Sequence, residues 1–149
     1  MERIMEEDII KKAAEVIKQN CVNGGEYTGQ NCVLSLIDLE DFPTASVITP
    51  SRSAGIETIW FCTGLGGDKI KRIKKNNRAC VCFGAAEYNI SLVGEIEVIT
   101  DANVKKEQWY KALADGHFSS DTDPNYCVLK FTTKRYNLLV DWKETRGHL

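Results

Sequence analysis

The stretch from Ile90 to Ile99 constrains this chain more than any other. Ile90, Leu92, Ile96 and Val98 fall on one side of an extended backbone, and Ser91, Glu95 and Glu97 fall on the other. A period of two is the pattern of a strand with one buried and one wetter face, and a helix does not produce it. Further strand-like runs surround it. They are Asn31–Leu39, apolar on both faces, Thr44–Thr49, stopped by Pro50, Glu57–Thr63, and Arg78–Phe83. Two more, Tyr126–Phe131 and Tyr136–Trp142, are joined by a polar turn, and Ser51–Gly55 reads as a hairpin loop. Helical spacing is confined to three segments, near 6–20, 68–76 and 103–115. The first places Ile9, Ile10, Ala13, Val16 and Ile17 on one face, the second turns Ile70 and Ile73 inward, and the third groups Trp109, Ala112 and Leu113. Strands that arrive in adjacent pairs with short links favour antiparallel pairing. The expected architecture is mainly β with a few helices, an antiparallel barrel of six to seven strands.

A chain of 149 residues is one domain's worth, so residues 1–149 are expected to form a single domain. Lys and Arg number 19 against 21 Asp and Glu, a net charge of −2, which argues against nucleic acid as a partner. The basic run Lys69–Lys75 lacks interleaved aromatics and reads as a solvated helix face. No apolar run approaches the roughly 20 residues of a membrane span, and the charged start Met1–Asp8 is unlike a secretory signal. Cys62, Cys80, Cys82 and Cys127 sit in apolar runs and there is no CxxC pair, so a reducing, cytoplasmic compartment is expected. With only His117 and His148 available, no metal site is expected. Cys80 and Cys82 share one face of a strand, where packing is favoured over a redox pair or a soft-metal site.

The richest segment runs from Phe61 to Phe83. A strand ends in Thr63, a glycine turn follows, and a helix opens with Asp68 as its expected N-cap and Lys69 in its first turn. Helix N-termini present free N–H groups and a positive dipole end, which suit phosphate. The P-loop pattern is absent, so spacing alone leaves two readings open: a phosphate site, or a plain turn with a solvated lysine.

The stretch FCTGLGGDKIKRIKKNNRACVCF resembles the flavin-phosphate segment of the pyridoxamine 5′-phosphate oxidase superfamily, the FMN-binding split barrels. The likeness extends over most of the chain and looks most like the general stress protein branch. It implies a split β-barrel working as a homodimer, with FMN at the subunit interface. The family's phosphate lysine falls on Lys69, its aromatic-Thr pair on Cys62 and Thr63, and its flavin-lining strand on Ser46, Val47, Ile48 and Thr49. Its polar residue reaching FMN from the other subunit falls on Asn89, and an aromatic near the flavin edge on Trp142, for which a barrel-core role is the alternative. Two family arginines are replaced, by Ser46 and Asp68, with Arg52 or Arg72 as candidate substitutes. Arg146 and His148 resemble the oxidases' Arg-x-His substrate motif at a shorter spacing, and His117 follows a glycine after a helix. No catalytic acid or base stands out, and true pyridoxamine phosphate oxidation is not expected. The function implied is an FMN oxidoreductase passing hydride or electrons to an unknown small substrate. The alternatives are a non-catalytic flavin-binding stress-related protein and a cysteine-based redox or metal protein.

Overall fold

The structure is a computed structural model describing residues 2–149. The first helix, α1 (Glu2–Gln19), buries Ile9, Ala13 and Ile17, a stripe spaced by four. Next come β1 (Cys32–Ile37), β2 (Pro43–Ile48), β3 (Pro50–Ala54) and β4 (Thr58–Gly64). Then α2 (Asp68–Lys75) buries Ile70 and Ile73. The chain ends with β5 (Arg78–Gly84), β6 (Tyr88–Ile99), α3 (Ala102–Gln108), a 3₁₀ turn at Lys111–Ala114, β7 (Tyr126–Val140) and β8 (Lys143–His148).

All eight strands belong to one antiparallel sheet in the order β2-β1-β5-β6-β7-β4-β3, with β8 also paired to β7. The spine is β7. One of its edges pairs with β6 along nearly its whole length, while the other pairs with β4 through Tyr126–Thr132 and with β8 through Arg135–Val140. The sheet curls into a half-barrel around Leu34, Phe61, Phe83, Leu92 and Phe131. The two end strands, β2 and β3, are consecutive in sequence and are linked by Thr49 alone. Pro50 carries no N–H, so the ladder cannot run through it, and the chain crosses from one edge of the sheet to the other. The barrel is therefore split along this seam, as the family resemblance implied.

Several sequence expectations are corrected in detail. Ser51–Gly55 is not a hairpin loop, because most of it is strand β3, which Pro50 opens rather than stops. Tyr126–Phe131 and Tyr136–Trp142 are one strand, with the polar 132–135 stretch forming a bulge against β6 instead of a turn. Buried Thr133 anchors that stretch, its hydroxyl donating to the Ile56 carbonyl at 2.6 Å. The true turn is Asp141-Trp142, with φ of 51° and 66°, and it leads into an eighth strand the sequence reading did not foresee. The third helix breaks at Trp109, whose ψ of 141° is extended. Finally, the N-cap of α2 is Gly67, and Asp68 lies in the first turn.

Candidate functional site

A cavity of about 380 Å³ opens at the seam. One wall is strand backbone and side chain: Ile48 and Thr49 from the crossing, and Cys62, Thr63 and Gly64 from the end of β4. The other wall comes from segments between elements: Tyr27, Tyr110, Ala112, Leu113, His117 and Phe118. Because Thr49 is the link between the two edge strands, the cavity lies where the ladder is missing.

The second wall is tied down locally. Asp123 accepts hydrogen bonds from the Ser119 N–H at 3.0 Å and the Asn125 N–H at 2.9 Å, and these bonds hold its carboxyl below the usual range. Asn125 in turn accepts from the Gly66 N–H at 3.2 Å through Oδ1 and from the Leu65 N–H at 2.7 Å through its carbonyl. The 115–125 loop is thereby fastened to the glycine turn that precedes α2. Lys105 supports it from below, donating to the Asp123 carbonyl at 3.1 Å with its ammonium 5.3 Å from the centre of the Tyr126 ring.

The protonation states of the cavity follow from burial. The Cys62 thiol donates to the Gln108 carbonyl at 3.4 Å, and burial pushes its pKa up to about 11. Tyr110 is pushed up to about 12, again mainly by burial. Both groups keep their protons at neutral pH, so neither serves as a base there. Among the described residues no Asp, Glu, Lys or Arg lines the cavity, and no three His, Cys, Asp or Glu side chains are grouped to hold a metal.

Charge lies on α2, which begins four residues after Gly64 of the cavity wall; its Asp68, Lys71 and Arg72 line a separate depression with Asp38 and Glu40. No side chain caps the helix N-terminus, so its first N–H groups stay available to an anion. Lys69, half-buried in the first turn, forms no salt bridge among the described residues. Asp68 adds a carboxylate at the same end.

The structure brings Ile48, Thr49, Cys62 and Thr63 onto one cavity and leaves the other expected flavin residues outside its lining. Ser46 and Val47 are exposed on the edge strand β2. Asn89 pairs with Leu139 and Trp142 follows Val140, both at the end of β7 remote from Tyr126. Trp142 is 81% exposed, which excludes the barrel-core alternative. Cys80 and Cys82 share a row position with Ser35 and Val33, away from the cavity. Arg146 and His148 lie side by side on β8, facing Asn137 and Arg135 on β7. The sequence reading missed most of the second wall. The available signal was the non-periodic stretch after 115 that carries His117 and Phe118, since aromatic-bearing loops are where binding groups concentrate, whereas Tyr110 was hidden in a helical pattern.

A family model described as pyridoxamine 5′-phosphate oxidase like matches residues 29–145. No curated protein matches the chain. A protein from Clostridium acetobutylicum related to general stress protein 26 superposes with a TM-score of 0.79 at 20% identity, covering 96% of each chain. General stress protein 26 of Bacillus anthracis follows at 0.72 and 21%, covering 93% of this chain and 98% of the other. A pyridoxamine 5′-phosphate oxidase-related, FMN-binding protein of Nostoc punctiforme reaches 0.61 at 10%, covering 93% and 95%. At these identities the superpositions establish a shared fold. No helix among the described residues is long and apolar enough to cross a membrane.

Proposed function

Because the chain belongs to the pyridoxamine 5′-phosphate oxidase-like family, we propose that it is an FMN-binding flavoprotein acting as an oxidoreductase on a small substrate. The observation that carries this reading is the convergence of Ile48, Thr49, Cys62 and Thr63 on one cavity, whose wall residue Gly64 lies four residues before an uncapped helix N-terminus with Lys69 in its first turn. The residues present fit the group. The cavity's size, lack of full charges and aromatic wall suit a planar ring, and the α2 donors with Lys69 suit a phosphate. The FMN-binding relative from Nostoc punctiforme supports the assignment.

Bound FMN supplies a two-electron donor and acceptor, leaving the protein to bind, orient and exclude water. Leu113, Phe118 and Ile48 shield the cavity, and the Thr49 and Thr63 hydroxyls offer hydrogen bonds along its strand wall. Tyr110 holds a proton on its phenol oxygen and Cys62 on its sulfur. His117 is the lining side chain that can pass a proton through a ring nitrogen.

The same proposal makes the chain a homodimer with FMN at the interface. Asn89 and Trp142 sit too far along β7 to serve their own cavity, so they would serve the one in the second copy. A cytoplasmic site of action is part of it, supported by all six cysteines being free. A non-catalytic flavin-binding protein is the second reading, favoured by one observation: Ser46 and Asp68 stand where the family's oxidases carry positive charge.

The test is the visible spectrum of freshly purified protein, followed by titration of flavin-free protein with FMN. A flavin spectrum, or saturable quenching of FMN fluorescence, is the expected result. Colourless protein that leaves FMN fluorescence unchanged overturns the proposal. Oxidation of a nicotinamide cofactor by loaded protein separates enzyme from holder.

A further inference from the structure

We propose that Tyr27 is a binding residue of the seam cavity, carried on a strap that folds its ring over the planar group lodged there. The inference rests on the flavin reading above and deepens its ring end. Tyr27 lies ahead of residues 29–145, the part of the chain that the family model matches, so the family pattern does not supply it. It lines the cavity and is nonetheless 52% exposed, which places its ring at the mouth. The hydrogen bonds of its neighbours close among themselves. The Thr28 N–H donates to Gln30 Oε1 at 2.6 Å, Gln30 Nε2 to the Glu26 carbonyl at 3.1 Å, and Asn31 Nδ2 to the Gly29 carbonyl at 3.0 Å. Among the described residues the Tyr27 hydroxyl takes part in none of these bonds, which leaves it for a ligand.

The way this segment is hung makes it a strap. At one end the Val22 N–H donates to the Pro50 carbonyl at 3.1 Å and the Asn23 N–H to the Ser51 carbonyl at 2.8 Å, which fastens it to β3. At the other end Cys32 of β1 pairs with Ile48, which fastens it to β2. Thr49 alone separates β2 from β3, so residues 24–31 straddle the seam. Gly24, at φ 73°, and Gly29, at φ 91°, bracket Tyr27 in the left-handed region that glycine adopts freely. Glycine is needed at 24 for a second reason, since a Cβ there would meet Arg52 Nη2 at 2.6 Å. A segment fastened at both ends and bonded to itself in between can swing as a unit without breaking a bond to the barrel.

The chemistry of the occupant follows from what faces Tyr27. Tyr110, His117 and Phe118 complete the outer wall, and among the described residues no Asp, Glu, Lys or Arg lines the cavity. Tyr110 is raised by burial first, then by the Cys62 thiol and the Tyr27 phenol, so the two phenols stand near each other and the buried one keeps its proton. An uncharged aromatic rim suits the face of an uncharged planar ring, which Tyr27 can cover by offset stacking. FMN and riboflavin carry the same ring. Tyr27 therefore acts on both alike, whereas a phosphate contact distinguishes them.

The experiment titrates flavin-free protein with FMN and with riboflavin, following flavin fluorescence, for wild type, Tyr27→Phe, Tyr27→Leu and Tyr27→Ala. Tyr27→Ala is expected to weaken both flavins by the same factor, roughly 5- to 30-fold, as loss of a stacked ring implies. Tyr27→Leu should lose nearly as much, and Tyr27→Phe should stay near wild type. Amide exchange gives a second measurement, in which residues 24–30 slow when flavin binds. Unchanged affinity in Tyr27→Ala overturns the assignment while leaving the flavin site standing. A loss confined to FMN overturns it too, because it places the residue at the phosphate. Amides at 24–30 that exchange equally fast with and without flavin overturn the strap. Wild type that binds neither flavin overturns the flavin reading and this inference with it. Circular dichroism identifies any variant that fails to fold, and the comparison of Tyr27→Phe with Tyr27→Leu, which differ in the ring, then carries the decision.

Discussion

At the scale of single residues, the cavity is defined by what its side chains hold on to. Lys69 is half-buried and forms no ion pair among the described residues, which leaves its charge to an incoming anion. Lys69→Ala should weaken FMN binding roughly 10- to 100-fold, and Lys74→Ala, on the exposed side of the same helix, should not. Equal affinities in a fluorescence titration would mean that the lysine is only solvated. Cysteine protonation gives a second expectation. Burial raises Cys62, and likewise Cys21 and Cys127, from 9.0 to about 11. A group whose pKa is raised by folding keeps its proton longer in the native state, so its contribution is complete below pH 9 and is lost as pH rises towards 11. Urea midpoints measured under reducing conditions should fall across that window, by at most about 1.4 kcal/mol per pH unit for each thiol. Cys62→Ser should make the fall shallower.

Among the elements, β7 shows most clearly what the sequence concealed. Its hydrophobic flanks at 126–131 and 136–140 were legible, but the polar residues between them resembled a turn. They are a bulge instead, and its geometry depends on Gly94 across the ladder. A Cβ on Gly94 would collide with the Thr132 carbonyl and come within 3.1 Å of the Thr133 Cα, and backbone cannot move aside cheaply. Gly94→Ala should therefore destabilise the protein by about 1–3 kcal/mol, as overpacking does, measured as a lower thermal midpoint. The same change at exposed Gly84, where nothing lies within 4 Å, is the control. The Asp141-Trp142 turn escaped notice because neither residue is the Asn or Gly such a turn favours, although both have positive φ. The 103–114 stretch had an unbroken helical pattern, and only the extended backbone at Trp109 ends the helix. By contrast, β6 and the buried stripes of α1 and α2 were readable because their periods are long and regular. Half of the cavity was readable too, on strand ends with a motif. The other half lies on a loop whose anchors, Asn125 and Asp123, act through backbone N–H groups and leave no periodic trace.

On the scale of the whole molecule, two neighbouring rows on one face of the sheet are bare of charge across four strands. The row Val47, Val33, Cys82 and Ser91 and the row Ala45, Ser35, Cys80 and Val93 run across four strands without an ionisable acid or base other than the thiols. Val47 is 70% exposed, an apolar side chain that a second copy would cover. Light scattering at micromolar concentration should return a dimer mass, and Val47→Glu should shift it towards monomer without unfolding the barrel. A wild-type monomer would count against the assembly. The seam at Thr49 has a thermodynamic consequence. Each end strand lacks one neighbour, so no ladder closes the barrel there. A molecule lodged in the cavity touches Ile48 at the end of β2 and Cys62, Thr63 and Gly64 of β4, and its binding stabilises the seam through mass action, by about 2.7 kcal/mol at a hundredfold excess over Kd. Amide hydrogens of β2 and β3 should then exchange with solvent faster than those of β6 in the empty protein, and slow selectively on loading, which would make the ligand a clasp for the barrel as well as its cargo.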